Sequence, residues 1–129
     1  MSRSLKARTA TIAVLAGTAA ATAVMTAGTA SAIQANTVPL NPGQSFCVQQ
    51  NAGYQVRATG TATADGARFK LLRNGQVLQA TPGRVSNWAV ELRTTWGNFP
   101  GPGTYAACAF NTGTSPTTVY LEIRTDSEI

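Results

Sequence analysis

The sequence predicts an all-β protein, a small antiparallel β-sandwich of about seven to eight short strands, and three observations carry that expectation. Apolar and polar residues alternate with a period of two over several short stretches, and no stretch shows a helical stripe. Gly, Pro, Asn and Asp residues punctuate the chain between these stretches, as tight turns require. Two cysteines, Cys47 and Cys108, allow one intramolecular disulfide. With Cys47 on an early strand and Cys108 on the penultimate one, that bond is expected to run between the two sheets, across the core. An up-and-down barrel is the structural alternative.

Residues 1–32 read as an export signal. Arg3, Lys6 and Arg8 form a basic start, the run from Thr9 to Ala32 carries no charge, and Ala30-Ser31-Ala32 offers small residues on both sides of a cleavage point after Ala32. A retained membrane helix is disfavoured because the run is mostly Ala, Thr and Gly, with few of the large aliphatic residues that drive insertion. Residues 33–129 are then a single secreted domain, with no membrane attachment after cleavage. Export permits the disulfide. Without the signal, seven basic residues face five acidic ones. That small excess, scattered along the chain, argues against nucleic acid as a partner.

Within the domain, Pro39, Pro42 and Gly43 separate an opening strand from Gln44–Gln50. Tyr54, Val56, Ala58 and Ala62 share one face of the next strand, with Gln55, Arg57, Thr59, Thr61 and Thr63 on the other. After the Asp65-Gly66 turn, Arg68–Arg73, Asn74-Gly75 and Gln76–Ala80 form a tight hairpin, because Asn and Gly both accept positive φ. Its register sets Arg73 against Gln76, Leu72 against Val77 and Leu71 against Leu78. Trp88, Val90 and Leu92 alternate with Asn87, Glu91 and Arg93 in a further half-buried strand. The Gly/Pro-rich run 97–103 is irregular, since its prolines lack amide donors. Thr104–Asn111 is a strand, and Val119, Leu121 and Ile123 mark the last one.

The run Gly103-Thr104-Tyr105-Ala106-Ala107-Cys108, with Trp88 between the two cysteines, resembles the segment of immunoglobulin-like domains that precedes the second cysteine. In that family the tyrosine stands two residues before the cysteine. Tyr105 stands three before Cys108, and one residue carries a side chain to the other face, so the resemblance leaves a tyrosine-corner role for Tyr105 open. The Pro-Gly-Thr-Tyr run followed by a closing strand is also similar to β-sandwich modules appended to secreted bacterial peptidases. Both resemblances imply a fold more than an activity.

Catalytic chemistry finds little support. The chain has no histidine, which removes the commonest general base and metal ligand; no metal and no cofactor is expected. A cysteine nucleophile is excluded if both thiols are bridged. Among Asp65, Glu91, Glu122, Asp126 and Glu128, only Glu91 and Glu122 fall on strands, both on the polar phase, while Asp126 and Glu128 fall in a frayed tail. The domain is therefore expected not to be an enzyme.

Two loops are candidate binding sites. Trp96 and Phe99 stand in the Gly/Pro-rich segment Trp96–Pro102, where exposed rings stack on sugars or fill a partner's pocket; both rings folding back over the sandwich end is the alternative. Arg84, in Thr81–Ser86, stands either on an extended epitope or on a plain connection. Arg57, Arg68, Lys70, Arg73 and Arg93 are expected to be dispersed rather than gathered on one face. The leading expectation is a secreted, monomeric, non-enzymatic binding module for a polysaccharide or another extracellular macromolecule. A secreted inhibitor of an exogenous hydrolase and a surface protein self-associating through a sheet edge are the alternatives.

Overall fold

A computed structural model describes residues 32–129. The expected signal segment lies outside the described residues except for Ala32, whose carbonyl accepts from the Thr125 N–H at 3.0 Å. Eight strands follow: β1 (Ile33–Leu40), β2 (Ser45–Ala52), β3 (Gln55–Ala62), β4 (Arg68–Arg73), β5 (Gln76–Ala80), β6 (Asn87–Arg93), β7 (Gly103–Phe110) and β8 (Thr117–Thr125). They form two four-stranded sheets, ordered β1-β8-β3-β6 and β2-β7-β4-β5, with every neighbouring pair antiparallel.

The sandwich is as the alternation predicts, but its wiring is not that of an immunoglobulin domain. There, consecutive strands pair within a sheet in several hairpins. Among the described residues only β4 and β5 are paired neighbours in sequence, and every other connection passes from one sheet to the other. This is the wiring of a jelly roll.

Large and small side chains alternate across the two inner faces. Phe69 on β4 stacks against Trp88 on β6, with ring centroids 5.3 Å apart and planes 7° from parallel, so this pair joins the sheets through the core. Room for the rings comes from the small residues Ala58, Gly60 and Ala62 on β3; a Cβ on Gly60 would stand 2.5 Å from the Phe69 ring. Val119, Leu121 and Ile123 on β8 are fully buried behind them.

Cys47 and Cys108 are bonded, yet not across the core. They are direct partners on β2 and β7, within one sheet. Their Cα atoms lie 4.1 Å apart, as in a non-hydrogen-bonded antiparallel pair. Val48 on β2 and Tyr105, Ala107 and Ala109 on β7 are the buried residues of the inward phase, which puts both sulfurs on the outer face. The one-residue offset from the immunoglobulin pattern explains this: Tyr105 keeps the inward position, and the cysteine is the residue that changes sides.

The hairpin begins as predicted, with Asn74 and Gly75 at φ 50° and 85° and the pairs Arg73–Gln76 and Leu72–Val77. A bulge then shifts the register, so Leu71 faces Gln79 and not Leu78. The far end of β5 is anchored by Thr81, whose N–H donates to Phe69 O and whose hydroxyl accepts from Phe69 N–H. Leu78 is the extra residue, left exposed on an edge strand where bulges are common. Arg57 and Arg124 lie on the central strands β3 and β8, whereas Glu91 lies on the edge strand β6; β5, at the edge of the other sheet, carries no charge.

Candidate functional site

The antiparallel registers divide the loops between the two ends of the sandwich. Ala52 with Gly103, Gln55 with Arg93, Val56 with Thr125 and Arg73 with Tyr105 mark one end. Ser45 with Phe110, Thr61 with Asn87 and Arg68 with Phe110 mark the other.

Trp96 and Phe99 occupy the first end, in the loop between β6 and β7. A 3-10 turn, Thr94–Trp96, closes on Gly97 at φ 78°, a left-handed conformation that glycine adopts without penalty. Asn98 ties the loop back to β6: its Oδ1 accepts from Arg93 N–H at 2.8 Å and its Nδ2 donates to Glu91 O. Phe99 is half-buried and stacks on Tyr105 at 5.6 Å. The Tyr105 hydroxyl donates to Gly101 O at 2.6 Å, and Arg73 Nη2 donates to Pro102 O at 3.0 Å. Despite the altered spacing, Tyr105 thus bonds to backbone a few residues upstream, as a tyrosine corner does. Burial raises its pKa above the phenol's ordinary value, partly opposed by Arg73 and by the bond to Gly101, so the hydroxyl remains a donor at neutral pH.

The two rings therefore have different fates. Phe99 folds back as the loop's anchor, whereas Trp96 is 59% exposed with the Arg93 guanidinium 5.0 Å from its ring centre.

A second exposed aromatic stands at the same end. Tyr54 was expected on the buried face of β3, but the strand starts at Gln55 and Tyr54 sits in the β2–β3 turn, 50% exposed. Its carbonyl accepts from both the N–H and the hydroxyl of Thr94, two residues before Trp96. Asp126 holds that turn: its carboxylate accepts from the N–H groups of Gly53, Tyr54 and, at 3.4 Å, Gln55. Asp126 is accordingly a clasp and not part of a frayed tail. The turn composition Asn51-Ala52-Gly53 was a signal for placing Tyr54 outside the strand. Nothing local signals Asp126, whose partners lie more than seventy residues away.

Arg84 is exposed at the opposite end, where it donates to the carbonyls of Asp65 and Thr112. Eight-residue strands separate the ends by about 26 Å, so Arg84 shares no site with Trp96. The basic residues divide by sheet. Arg57 and Arg93 belong to the first sheet, while Arg68, Lys70 and Arg73 are all on β4 of the second.

The strand carboxylates are engaged. Glu91 pairs with Arg93 and Glu122 with Arg124, two positions along the same strand in each case. Partial burial alone would raise the Glu122 pKa; hydrogen bonds and charge from Arg124, with hydrogen bonds from Thr59 and Tyr120, outweigh it and lower the value. A carboxylate held ionised is the opposite of a general acid. Among the described residues no group of three His, Cys, Asp or Glu side chains is placed to hold a metal ion, and no helix is long and apolar enough to cross a membrane.

No protein-family model matches the chain, and no curated protein matches it in sequence. Solved structures share the fold. A periplasmic inhibitor of g-type lysozyme from Aeromonas hydrophila, PliG, superposes with a TM-score of 0.52 at 11% identity, over 79% of this chain and 92% of that one. The pre-peptidase C-terminal domain of a Bacillus anthracis collagenase gives 0.54 at 10% identity, over 70% and 88%. The Yersinia pseudotuberculosis-derived mitogen gives 0.51 at 13%, over 74% and 86%. At these identities the likeness defines a class of β-sandwich module and no more.

Proposed function

We propose that this protein is an exported, non-enzymatic binding module that engages an extracellular macromolecule through the Trp96 end of the sandwich. The observation that carries the reading is an exposed tryptophan on a loop already fixed by Asn98, Tyr105, Arg73 and the Phe99 stack. A ring presented this way loses little conformational freedom on binding, which favours affinity. Tyr54 widens the aromatic surface. Export is supported by the basic, uncharged and small-residue pattern of residues 1–32 and by the disulfide, which persists in oxidising compartments.

The experiment is retention of the purified protein on insoluble polysaccharides and cell walls, comparing wild type with Trp96→Ala. Retention that falls with Trp96→Ala is the expected result; equal retention, or none, overturns the glycan form of the reading. Inhibition of an exogenous hydrolase is the second reading, favoured by the same pinned loop and by the inhibitor role that the Aeromonas hydrophila neighbour carries by name. Unchanged rates across a panel of secreted proteases, glycosidases and lysozymes at excess protein would remove it.

A further inference from the structure

The charges of this domain are sorted between its two sheets. Both ion pairs among the described residues, Arg93–Glu91 and Arg124–Glu122, lie on the first sheet. The second sheet carries Arg68, Lys70 and Arg73 and no acidic residue on any of its four strands. These cations have contacts that leave their charge uncompensated. Arg68 donates twice to Thr81 O, at 3.1 and 2.9 Å, Arg73 donates to Pro102 O, and the Lys70 ammonium stands 4.8 Å from the centre of the Phe110 ring. Arg84, bonded only to backbone carbonyls, adds a further positive charge at the Arg84 end, where Asp65 is the single acid.

Two of these cations, Lys70 and Arg84, adjoin one feature. A shallow depression opens at the Arg84 end, with Phe110 in its wall and Gln44, Ser45 and Thr112 beside it. Phe110 is half-buried and faces outward on β7, directly opposite Arg68 on β4. Lys70 lies over its ring, and Arg84 donates to the carbonyl of Thr112 on the rim. Asn111, also in the lining, is fully committed to the fold: its Nδ2 donates to Leu40 O and Ser115 O, and its Oδ1 accepts from Gly113 N–H.

We infer that this depression binds an acidic polysaccharide, with a sugar ring beside Phe110 and carboxylate groups facing Lys70 and Arg84. An aromatic ring supplies an apolar platform for the flat face of a pyranose, and cations without carboxylate partners supply the charge complement. The uncharged hydroxyls of Ser45 and Thr112 suit a hydroxyl-rich ligand, and an open depression suits a chain that passes over it. The inference rests on the reading of the protein as a binding module, but not on the Trp96 loop, which lies at the other end.

The test is isothermal titration of the purified protein with polygalacturonate oligosaccharides, neutral galactan oligosaccharides and inorganic polyphosphate. Polygalacturonate is expected to bind with an affinity that falls as salt rises. Lys70→Gln should weaken it roughly fivefold, the scale of one exposed charge, and Phe110→Leu roughly three- to tenfold through loss of the ring contact. Circular dichroism of Phe110→Leu checks that the strand is intact, and Lys70→Gln reports independently if it is not. Trp96→Ala should leave this affinity unchanged while lowering the retention measured for the other end, so the two readings fail separately. Equal binding of neutral galactan would overturn the inference, as would polyphosphate binding that matches polygalacturonate and ignores Phe110→Leu. Absence of polygalacturonate binding at low salt would overturn it as well.

Discussion

Replacing Asp126 by Asn leaves the shape of the side chain and removes its charge, at a position that holds the β2–β3 turn. The wild-type carboxylate accepts from Gly53 at 3.0 Å and Tyr54 at 2.9 Å, with a longer contact to Gln55. Hydrogen bonds to an ionised group contribute about 1.5–3 kcal/mol each when well shielded. These bonds are at the surface, so a total loss of about 1–2 kcal/mol is expected for Asp126→Asn, whose amide turns one acceptor into a donor facing other donors. The residue sits at φ 54°, which Asn tolerates as well as Asp, so backbone strain does not contaminate the comparison. Asp126→Ala adds that strain and should lose more. For a domain of this size a loss of 1–2 kcal/mol lowers the Tm by roughly 4–16 °C, readable by thermal unfolding followed by far-ultraviolet circular dichroism. Unfolding curves for Asp126→Asn and Asp126→Ala that overlay the wild type would refute the clasp and restore a frayed tail.

Other expectations follow from single contacts. Gly60→Ala forces a methyl into the Phe69 ring and should destabilise by about 1–3 kcal/mol, whereas Gly83→Ala, with nothing within 4 Å of the added carbon, should be neutral or slightly stabilising; urea denaturation of both variants distinguishes them. Replacing Cys47 and Cys108 together by Ala should cost at most about 4 kcal/mol, the chain-entropy value for this loop, and should leave the near-ultraviolet signal of the Phe69–Trp88 stack in place because the bond lies outside the core. Loss of that signal under native conditions would count against the outer-face placement. Glu122 has a folded pKa below the ordinary 4.5; its contribution is therefore present above that value and lost as the pH falls through the folded one. Glu122→Gln should flatten the acid limb of a stability profile, and an unchanged limb would place the acid sensitivity elsewhere.

The strands, their inward faces and the Asn74-Gly75 turn were legible in the chain because each is a local property: alternation of period two, and two residues that accept positive φ. The same holds for the pairing of the only two cysteines. The face on which the sulfurs lie was not legible, since it depends on which strands become neighbours, and a disulfide joins partners in one sheet as readily as it joins two sheets. The jelly-roll order is a choice among ways of pairing similar strands, and the Phe69–Trp88 stack with the close approach of Gly60 to Phe69 is a contact between sheets that no local pattern specifies.

At the Trp96 end the sequence offered two aromatic residues with equal claims. The tertiary structure separated them, because Tyr105 gives Phe99 a ring to stack on while Trp96 is left in solvent beside Arg93. It also brought in Tyr54 and Asp126, whose contacts span long stretches of chain. What the sequence determined by itself was the alphabet of strands and turns; side-chain fate and the sorting of charge between the sheets were decided by which distant residues folding placed side by side.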